Sequence, residues 1–460
     1  MSDPVVIVGA GPTGLALAAE LGLAGVPCRV LEKRPDVPNI TRAFGVHART
    51  LELLDARGLA EEVIARGVKV STAVINLGAQ IDFRPLPTPF NHLLIVPQSG
   101  TETVLEKRCL ELGIAVERGV EVVGLTQNES RVNLEVRDDK GFRTVPASYV
   151  VGCDGAHSVV REKLGVPFSG EVYDVHLALA DVRLTNPPAE TVFTGLSPKG
   201  IQLLVPFGDG WHRSISFRHG APTDAPLTLD EIREASLAIT GEDFGFAETR
   251  WMTRFLSERR QAAHYRVGRV LLAGDAAHVH SPAGAQGMNT GIGDATNLGW
   301  KLAKVLDGTA PSWLLDSYEA ERHPVGEEVL RVTDRIFRLV MLKSPAAHRL
   351  IGFLASNLFK FDAAQRFPRS FLSGLGVHYA PRGHRPHPLA GKRAPDVTDL
   401  SPALRSGKFV LAGGTSIPVS DKVVAVPGKQ LMLVRPDGYV AWAGDSAGEA
   451  RRAMAEWGVA

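Results

Sequence analysis

A glycine-rich turn between a short apolar strand and a helix constrains this chain more than any other feature of its sequence. Val5–Val8 is a continuous apolar run typical of a parallel strand buried on both faces, and Gly9-Ala10-Gly11-Pro12-Thr13-Gly14 follows it directly. In such a turn Gly9 permits the tight bend, Gly11 lets the backbone approach a pyrophosphate, and Gly14 lets the following helix pack on the strand. Free N–H groups at the start of that helix favour phosphate, so the turn predicts a dinucleotide site.

An acidic residue completes the first motif. A second predicted strand over 27–31 ends at Glu32, 18 residues after Gly14, where its carboxylate can hold the ribose hydroxyls of an adenosine half. The alternative is a glycine-rich turn in an unrelated α/β domain. NAD and FAD share the adenosine diphosphate half, so this motif does not choose between them.

Two further strand ends carry acids beside glycines. The predicted strand Tyr149-Val150-Val151 leads into Gly152-Cys153-Asp154-Gly155, and a buried strand over 269–273 stops at Gly274-Asp275-Ala276-Ala277-His278. Asp275 is suited to hydrogen-bond ribityl hydroxyls, and only a flavin dinucleotide has a ribityl chain. A loop over 282–290 then leads to a helix over about 292–306, whose N-terminus carries roughly half a positive charge. Aimed at the pyrimidine edge of a flavin, that charge would stabilise the reduced form, so the third motif favours FAD.

These three motifs, in this order, resemble those of the FAD-dependent aromatic hydroxylases, or class A flavoprotein monooxygenases, which have the para-hydroxybenzoate hydroxylase fold. The resemblance covers roughly residues 4–340. It is closest to the aromatic polyketide hydroxylases, because Pro282-Ala283-Gly284-Ala285-Gln286-Gly287-Met288-Asn289-Thr290 and Asn297-Leu298-Gly299-Trp300-Lys301-Leu302 are similar to their flavin-loop helix. Ala285 stands where that subgroup usually has glycine.

The resemblance implies an α/β fold in which a Rossmann-like FAD-binding domain is interleaved with a mixed or antiparallel β-sheet substrate domain. We expect the FAD-binding domain over 1–70, 97–172 and 268–340, and the substrate domain over 71–96 and 173–267, where candidate strands suggest an antiparallel sheet. A helical segment and linker over 341–384 would precede a short thioredoxin-like domain over 385–460, which contains no cysteine and is expected to have no redox role.

The helical segments near the C-terminal end are interpreted as structural. A helix beginning at about Leu314 is expected to break at Pro324, before a long amphipathic helix over about 325–340. Apolar residues recur at helical spacing over 346–371. We expect this stripe to pack on the flavin domain rather than lie on a membrane surface, because the residues between are not strongly basic; a dimer face is the third reading.

The predicted cofactor site combines the three turns with residues that the resemblance adds. It implies that Glu32 binds the adenosine ribose, Arg42 reaches the pyrophosphate, and Gln98 lies beside the flavin chain, while Asp154 supports both FAD and NAD(P)H. The alternatives are a solvated loop charge for Arg42, a helix-capping residue for Gln98 and an acid that satisfies a turn for Asp154. The predicted set is Gly9, Gly11, Pro12, Thr13, Gly14, Glu32, Lys33, Arg42, Gln98, Asp154, Gly155, Asp275, Pro282, Gly284, Gln286, Gly287, Met288 and Asn289.

Substrate and catalytic groups are less visible in the sequence. The apolar side of a predicted strand, with Ile201, Leu203 and Val205, could line an aromatic pocket, although an ordinary sheet core is the favoured reading. No side chain identifies itself as a general base. His278 and His280 have no acid or cysteine cluster beside them, so we expect packing or hydrogen bonding rather than metal ligation.

The resemblance implies a monooxygenase that uses NADPH or NADH and O2 to hydroxylate a polycyclic aromatic or phenolic substrate through a flavin C4a-hydroperoxide. The alternatives are a Baeyer–Villiger or epoxidising monooxygenase, an oxygen-independent flavin reductase, and a non-catalytic flavoprotein that sequesters ligand. Lys and Arg number 51 against 50 Asp and Glu, so no general field attracts nucleic acid or anionic membrane, and neither is an expected partner. Three dispersed cysteines fit a reducing cytoplasm, and we expect a monomer or homodimer.

Overall fold

The structure is a computed structural model that describes residues 3–36, 43–75, 79–189, 192–221, 225–281, 284–382, 386–395 and 399–460. Arg42 and Pro282, both predicted to contact the cofactor, lie outside the described residues.

The strands are β1 (Val5–Val8), β2 (Cys28–Glu32), β3 (Gly45–Val46), β4 (Val68–Val70), β5 (Thr72–Ile75), β6 (Ala79–Asp82), β7 (Leu93–Ile95), β8 (Val116–Arg118), β9 (Glu121–Gln127), β10 (Val132–Asp138), β11 (Gly141–Ala147), β12 (Tyr149–Gly152), β13 (Phe168–Leu184), β14 (Phe193–Ser197), β15 (Gly200–Pro206), β16 (Trp211–Arg218), β17 (Phe246–Ala262), β18 (Arg266–Val267), β19 (Val270–Leu272), β20 (His278–Val279), β21 (Phe409–Ala412), β22 (Val423–Val426), β23 (Leu431–Val434) and β24 (Val440–Gly444). The α-helices are α1 (Pro12–Leu23), α2 (Ala48–Asp55), α3 (Ala60–Ile64), α4 (Gln98–Glu111), α5 (Val159–Lys163), α6 (Leu229–Thr240), α7 (Gln286–Leu306), α8 (Ser317–Val340), α9 (Pro345–Leu358), α10 (Asp362–Ser373), α11 (Ser401–Leu404) and α12 (Ala447–Glu456).

A six-stranded sheet, in the order β18-β19-β12-β1-β2-β8, carries all three sequence motifs. β19, β12, β1, β2 and β8 run parallel to one another, and only β18 is antiparallel to its neighbour. In register, Val8 lies opposite Gly152, and Gly152 lies opposite Leu272. The ends of three adjacent parallel strands therefore deliver the three predicted turns to one edge of the sheet.

A second sheet, in the order β14-β15-β16-β13-β17-β20, confirms the antiparallel sheet predicted between the second and third motifs. Its side chains alternate between two faces, as the pleat of a strand requires. On β15, Leu203 and Val205 pack in one cluster with Phe44, which precedes β3, and with Ile95 of β7. Leu204 points the other way, into a cluster that includes Ile232 of α6.

The C-terminal strands form a separate four-stranded sheet, in the order β22-β21-β23-β24, on which α12 packs. The core of this unit is shared with the rest of the molecule. Trp300 of α7 and Leu314 are buried in the same cluster as Phe409 and Trp457. The remaining sheets are β11-β10-β9, β3-β7-β4 and β5-β6.

Two helix predictions are wrong at their boundaries. The break expected at Pro324 does not occur, because α8 runs continuously through this proline. Proline removes one backbone hydrogen bond, but the helix is held on both sides of it by buried residues, including Arg322 and Val329. In addition α7 begins at Gln286 rather than near 292, and the Asn289 and Thr290 side chains bond back to the carbonyls of Ala285 and Gln286 in its first turn.

The interpretation of the 346–371 stripe as packed on the flavin domain is also wrong for most of its large side chains. Leu350, Phe353, Leu354 and Leu358 of α9 are exposed, and the buried residues of this helix are His348 and Gly352. Among the described residues, no helix is both long and apolar enough to span a membrane.

Candidate active site

The three motif turns are in direct contact with one another. A Cβ built on Gly9 would lie 2.4 Å from the carbonyl oxygen of Cys153, which joins the first turn to the second. A Cβ on Gly274 would lie 2.5 Å from Oγ1 of Thr13, and one on Gly291 would lie 2.2 Å from the same oxygen. The third turn and α7 therefore close on the start of α1, and the contacts leave no room for a side chain.

The glycines of the first turn differ in their surroundings. Gly9 has a φ of +105°, and a Cβ on Gly14 would lie 2.0 Å from the Gly9 carbonyl oxygen, so both positions require glycine. A Cβ on Gly11 would meet nothing within 4 Å. Gly11 precedes Pro12 at the start of α1, and no side chain caps this helix. The space over Gly11 and the helix N-terminus fits a pyrophosphate.

Glu32 is buried at the end of β2 and is held by four hydrogen bonds. It accepts from the backbone N–H of Ala10 at 3.0 Å and of Arg34 at 2.9 Å, and from the Arg34 guanidinium at 2.8 and 3.3 Å. Burial opposes its ionisation, but the bonds from Arg34 and Ala10 outweigh burial and lower its pKa below the ordinary value. Lys33 beside it is exposed. Glu32 is thus an ionised acceptor anchored to the glycine turn.

A cavity of about 420 Å³ opens beside this carboxylate. Its lining residues are Ala10, Arg34, Glu102, Thr103, Glu106, Lys107, Leu110 and Arg118. It adjoins Ala10 of the glycine turn and Arg34, the partner of Glu32. Our sequence reasoning missed Arg34 and Glu102; the charge of Arg34, two residues after Glu32, was the available signal for the first of them.

Asp275 lies in the third turn, in a single 3-10 turn after β19. Its side chain is exposed, and its Oδ1 is 3.9 Å from a Cβ built on Gly287 in the first turn of α7. Nε2 of His280 is 3.7 Å from the same point. The structure therefore brings the predicted ribityl acid to the N-terminus of the helix predicted to face the flavin.

The polar side chains of the first turn of α7 form hydrogen bonds with other groups of the protein. Asn289 accepts from the His47 N–H at 2.9 Å and donates to the carbonyls of Gly45 at 2.9 Å and Ala285 at 2.8 Å. Gln286 donates to the Phe371 carbonyl at 3.1 Å, and Met288 is buried in the core. These side chains hold the loop in place, and no side chain caps the helix.

The face of the second sheet that meets the flavin part is lined by apolar and aromatic side chains. Leu203 and Val205 lie in this interface, together with Trp211, Phe217 and Trp251; Ile201 is half-buried and lies outside the cluster. This arrangement brings two of the three predicted substrate residues to the interface.

A buried charge on the same face was missed by sequence reasoning. Arg213 alternates with Trp211 and Ile215 on β16, has no exposed side-chain surface, and donates to Asp181 at 2.6 Å. Burial lowers the pKa of the Arg213 guanidinium, although Asp181 opposes this shift. A basic residue within a period-two apolar face was the sequence signal.

The family comparisons agree with this geometry. A family described as "FAD binding domain" matches residues 2–333, and the family "Aromatic-ring hydroxylase, C-terminal" matches residues 410–458. The chain belongs to the FAD-dependent aromatic hydroxylases. Homologues are named monooxygenases, which identifies this chain as an enzyme of that class.

Several relatives match this hydroxylase over nearly its whole length. A 12-dehydrotetracycline 5-monooxygenase/anhydrotetracycline 6-monooxygenase from Streptomyces rimosus is 38% identical over 96% of this chain and 95% of its own. A rifampicin monooxygenase from Streptomyces venezuelae is 38% identical over 98% of both chains. The solved structure of an anhydrotetracycline hydroxylase from Streptomyces rimosus aligns with a TM-score of 0.86 at 37% identity, over 99% of both chains.

Asp154 and Gln98 of the hydroxylase make contacts within the protein. Asp154 accepts from the Ser158 hydroxyl at 2.5 Å and from the Val160 N–H at 3.1 Å, so it satisfies the turn before α5. Burial raises the pKa of its carboxyl above the ordinary value. Gln98 begins α4, accepts from the Ala43 N–H at 3.1 Å and donates to Glu102 at 2.8 Å. Gly155 has a φ of +84°.

A buried carboxylate joins α7 of the hydroxylase to three other elements, the 3-10 turn at Gly274, β20 and α8. Asp294 of α7 accepts from the Gly274 N–H at 3.0 Å and is bonded to Nε2 of His278 at 2.7 Å and to Nε of Arg322 at 2.6 Å. His278 is thus a hydrogen-bonding residue, as expected. Over the part of the chain that the structure describes, no group of three His, Cys, Asp or Glu residues is arranged to hold a metal ion.

Proposed function

We propose that this aromatic hydroxylase uses NADPH or NADH and O2 to hydroxylate a polycyclic aromatic or phenolic substrate. The observation that carries the proposal is the meeting of three glycine turns at one sheet edge, beside an apolar and aromatic sheet face. Relatives named for anhydrotetracycline and rifampicin, each 38% identical, support a substrate of the aromatic polyketide or drug-like class.

The residues around the turns fit FAD. The backbone at Gly11 and the start of α1 would receive the pyrophosphate, Glu32 the adenosine ribose and Asp275 the ribityl chain, with the N-terminus of α7 at the pyrimidine edge. Bound there, FAD would accept hydride from the nicotinamide and activate O2. The further proposed contacts are Gly9, Pro12, Thr13, Gly14, Lys33, Arg42, Gln98, Asp154, Gly155, Pro282, Gly284, Gln286, Gly287, Met288 and Asn289.

The protein's own part in the reaction is to position the ring and exclude water. Leu203 and Val205 form one apolar cluster with Phe44 and Ile95, and such walls would keep water from the reacting carbon. We assign no side chain as a general base. A phenol can also ionise through its own acidity or a chain of water molecules.

We also infer that the first sheet is a Rossmann-like dinucleotide-binding unit over 1–70, 97–172 and 268–340, and that the substrate domain occupies 71–96 and 173–267. The helical segment over 341–384 then leads to a thioredoxin-like unit over 385–460. The absence of cysteine over 385–460 supports a role for this unit without thiol chemistry.

The test is a screen for aromatic compounds that accelerate NADPH or NADH consumption by the FAD-loaded enzyme. We expect a product with one added oxygen atom on a ring carbon, identified by mass and by NMR. A ring-expanded ester or an epoxide would instead establish Baeyer–Villiger or epoxidising chemistry. Substrate turnover without O2 would establish a reductase, and FAD binding without stimulated consumption by any compound would favour ligand sequestration.

The assignment of Asp275 has its own test. We expect Asp275→Ala to lower FAD affinity by roughly ten- to a hundredfold, as the loss of hydrogen bonds to a carboxylate would. Because Asp275 is exposed, the fold should persist. The matched control is Asp139→Ala, which removes an exposed carboxylate from the turn between β10 and β11. Full FAD occupancy in the purified Asp275 variant would contradict the assignment.

A further inference from the structure

Large apolar side chains that are strongly exposed concentrate in one stretch of the chain. Of the twelve such residues among those described, seven lie between 339 and 367, with 45–67% of their surface exposed. These seven, here called the 339–367 surface, are Leu339, Leu350, Phe353, Leu354, Leu358, Phe361 and Phe367. Scattered exposed apolar residues are ordinary, but four of these seven belong to the single helix α9, and an exposed apolar helix face marks an interaction site.

On α9 the apolar face points away from the protein. Leu350, Phe353, Leu354 and Leu358 follow the spacing of one helix face, whereas His348 and Gly352, the buried positions, lie on the opposite side. Nε2 of His348 is bonded to the Leu342 carbonyl at 2.6 Å, just before the helix, and α9 itself packs against β6. The apolar face is therefore exposed on a helix that is already packed against the protein.

Positive charge surrounds these side chains. Residues 341–373 contain five cations and a single acid, Asp362, which pairs with Arg366 and Arg369. Lys343, Arg349 and Lys360 are exposed, and no carboxylate of the described residues lies within 4 Å of their charged nitrogens. Leu and Phe flanked by Lys and Arg form the composition of a helix that lies in the surface of an anionic bilayer.

We propose that the 339–367 surface docks on a phospholipid bilayer that carries anionic head groups. Phe353 and Leu354 enter the boundary of the acyl chains, and Lys343, Arg349 and Lys360 meet the phosphates. A second copy of the chain fits less well, because a two-fold interface uses the same patch on both subunits and brings like charges together. We expected no membrane partner, from the balanced net charge and from the few basic residues within the stripe. The exposure of Lys343, Arg349 and Lys360 next to an outward apolar face argues against both grounds.

Docking there would place the active site beside the lipid. Leu372 of α10 lies 3.0 Å from a Cβ built on Gly284, and the Phe371 carbonyl accepts from Gln286, so α10 contacts the flavin loop. If the proposed function holds, an apolar aromatic substrate dissolved in the bilayer would reach the site from the membrane. The docking itself does not depend on that function.

The experiment measures co-sedimentation of the full chain with vesicles of phosphatidylcholine containing 30% phosphatidylglycerol, compared with pure phosphatidylcholine, at about 50 and 500 mM salt. We expect binding to the anionic vesicles that weakens at high salt. The double variant Phe353→Ser with Leu354→Ser should lose more than about tenfold in partitioning. The matched control is Phe142→Ser, at an exposed phenylalanine of β11.

A second set of variants tests the charges. Lys343→Gln, Arg349→Gln and Lys360→Gln combined should lower binding to anionic vesicles by at least about tenfold. Lys140→Gln, Lys163→Gln and Lys199→Gln remove the same charge from exposed positions elsewhere and should leave binding unchanged. The proposal is overturned by absence of vesicle binding at low salt, by equal effects of the two triple variants, or by a dimer that Phe353→Ser with Leu354→Ser dissociates in the absence of lipid.

Discussion

A neutral histidine holds the Gly284 carbonyl in the loop before α7. Nε2 of His47 lies 3.0 Å from the Gly284 oxygen, which can only accept, so this nitrogen carries the proton. Nδ1 is buried without a hydrogen-bond partner among the described residues. Burial lowers the pKa of His47 from 6.5 to about 4, although the Gly284 bond opposes this shift. Protonation would place an unsolvated cation next to the loop.

The titration of His47 gives a pH dependence of stability. Between pH 6.5 and about 4 the unfolded chain binds a proton that the folded chain does not, so the free energy of unfolding falls as pH is lowered through this window. Within this window His47→Gln should reduce the pH dependence of the free energy of unfolding by about 1.4 kcal/mol per pH unit, as measured by urea unfolding at several pH values. The control is His157→Gln, at an exposed position. Equal slopes in wild type and the His47 variant would contradict burial of the neutral form.

The residue before α7 sits in a conformation that costs free energy. Among the described residues, Ala285 is the non-glycine residue with a positive φ, at +53°. Ala285→Gly should raise the free energy of unfolding by about 0.5–1 kcal/mol, because glycine adopts this conformation without the steric penalty of a Cβ. Denaturant unfolding of the FAD-free proteins measures the change. A fall in stability would mean that the methyl group's packing in the domain interface outweighs the backbone strain.

At the scale of single elements, two glycines of the first turn have different roles: Gly14 is needed for folding, and Gly11 is proposed to be needed for FAD binding. Gly14→Ala would drive a methyl group into the Gly9 carbonyl, 2.0 Å away, and should prevent stable folding of the α1 region. Gly11→Ala meets no protein atom within 4 Å, so its free energy of unfolding should change by less than about 0.5 kcal/mol. The same methyl would occupy the space proposed for pyrophosphate and should weaken FAD binding more than about tenfold.

Flavin fluorescence titration measures this affinity, and the matched control is Gly448→Ala. A Cβ at that position in α12 would make only an ordinary contact, 3.6 Å from Ser446 Oγ. Wild-type FAD affinity in the Gly11 variant would remove the pyrophosphate from this turn.

The sequence predicts some elements well because their signals are local. β1, β12 and β19 are apolar runs that end at glycine turns, and the alignment of parallel strands brings those turns together. The predicted break at Pro324 is wrong because tertiary contacts on both sides of this proline override a local rule. The predicted burial of the α9 stripe is wrong because an apolar stripe shows that a helix is amphipathic, not which side is buried.

Across the whole molecule, a buried polar cluster joins the C-terminal unit to the flavin-binding part. Arg435 donates to Glu321 of α8 twice, both at 2.8 Å, and to Asp437. Lys301 of α7 donates to the same Glu321 at 2.8 Å. Burial lowers the pKa of Lys301 to about 8, although Glu321 opposes this shift. Arg49 of α2 donates to the Asp437 carbonyl at 2.6 Å, so α2 and α8 both contact one C-terminal turn.

This cluster predicts that the chain unfolds as one cooperative unit. Arg435 is 2% exposed, so Arg435→Gln removes the cation that Glu321 and Asp437 share; Glu321 keeps its bond from Lys301, whereas buried Asp437 loses its ion pair. Breaking a buried pair in this way costs about 3–5 kcal/mol, and calorimetry should show a lower Tm with the C-terminal unit unfolding ahead of the rest. The matched control is Arg452→Gln, at an arginine of α12 whose side chain is 77% exposed. This variant should unfold in a single transition at the wild-type Tm. If the Arg435 variant also unfolds in one transition at the wild-type Tm, the unit is joined to the flavin part by the apolar core around Trp300 and Trp457 instead.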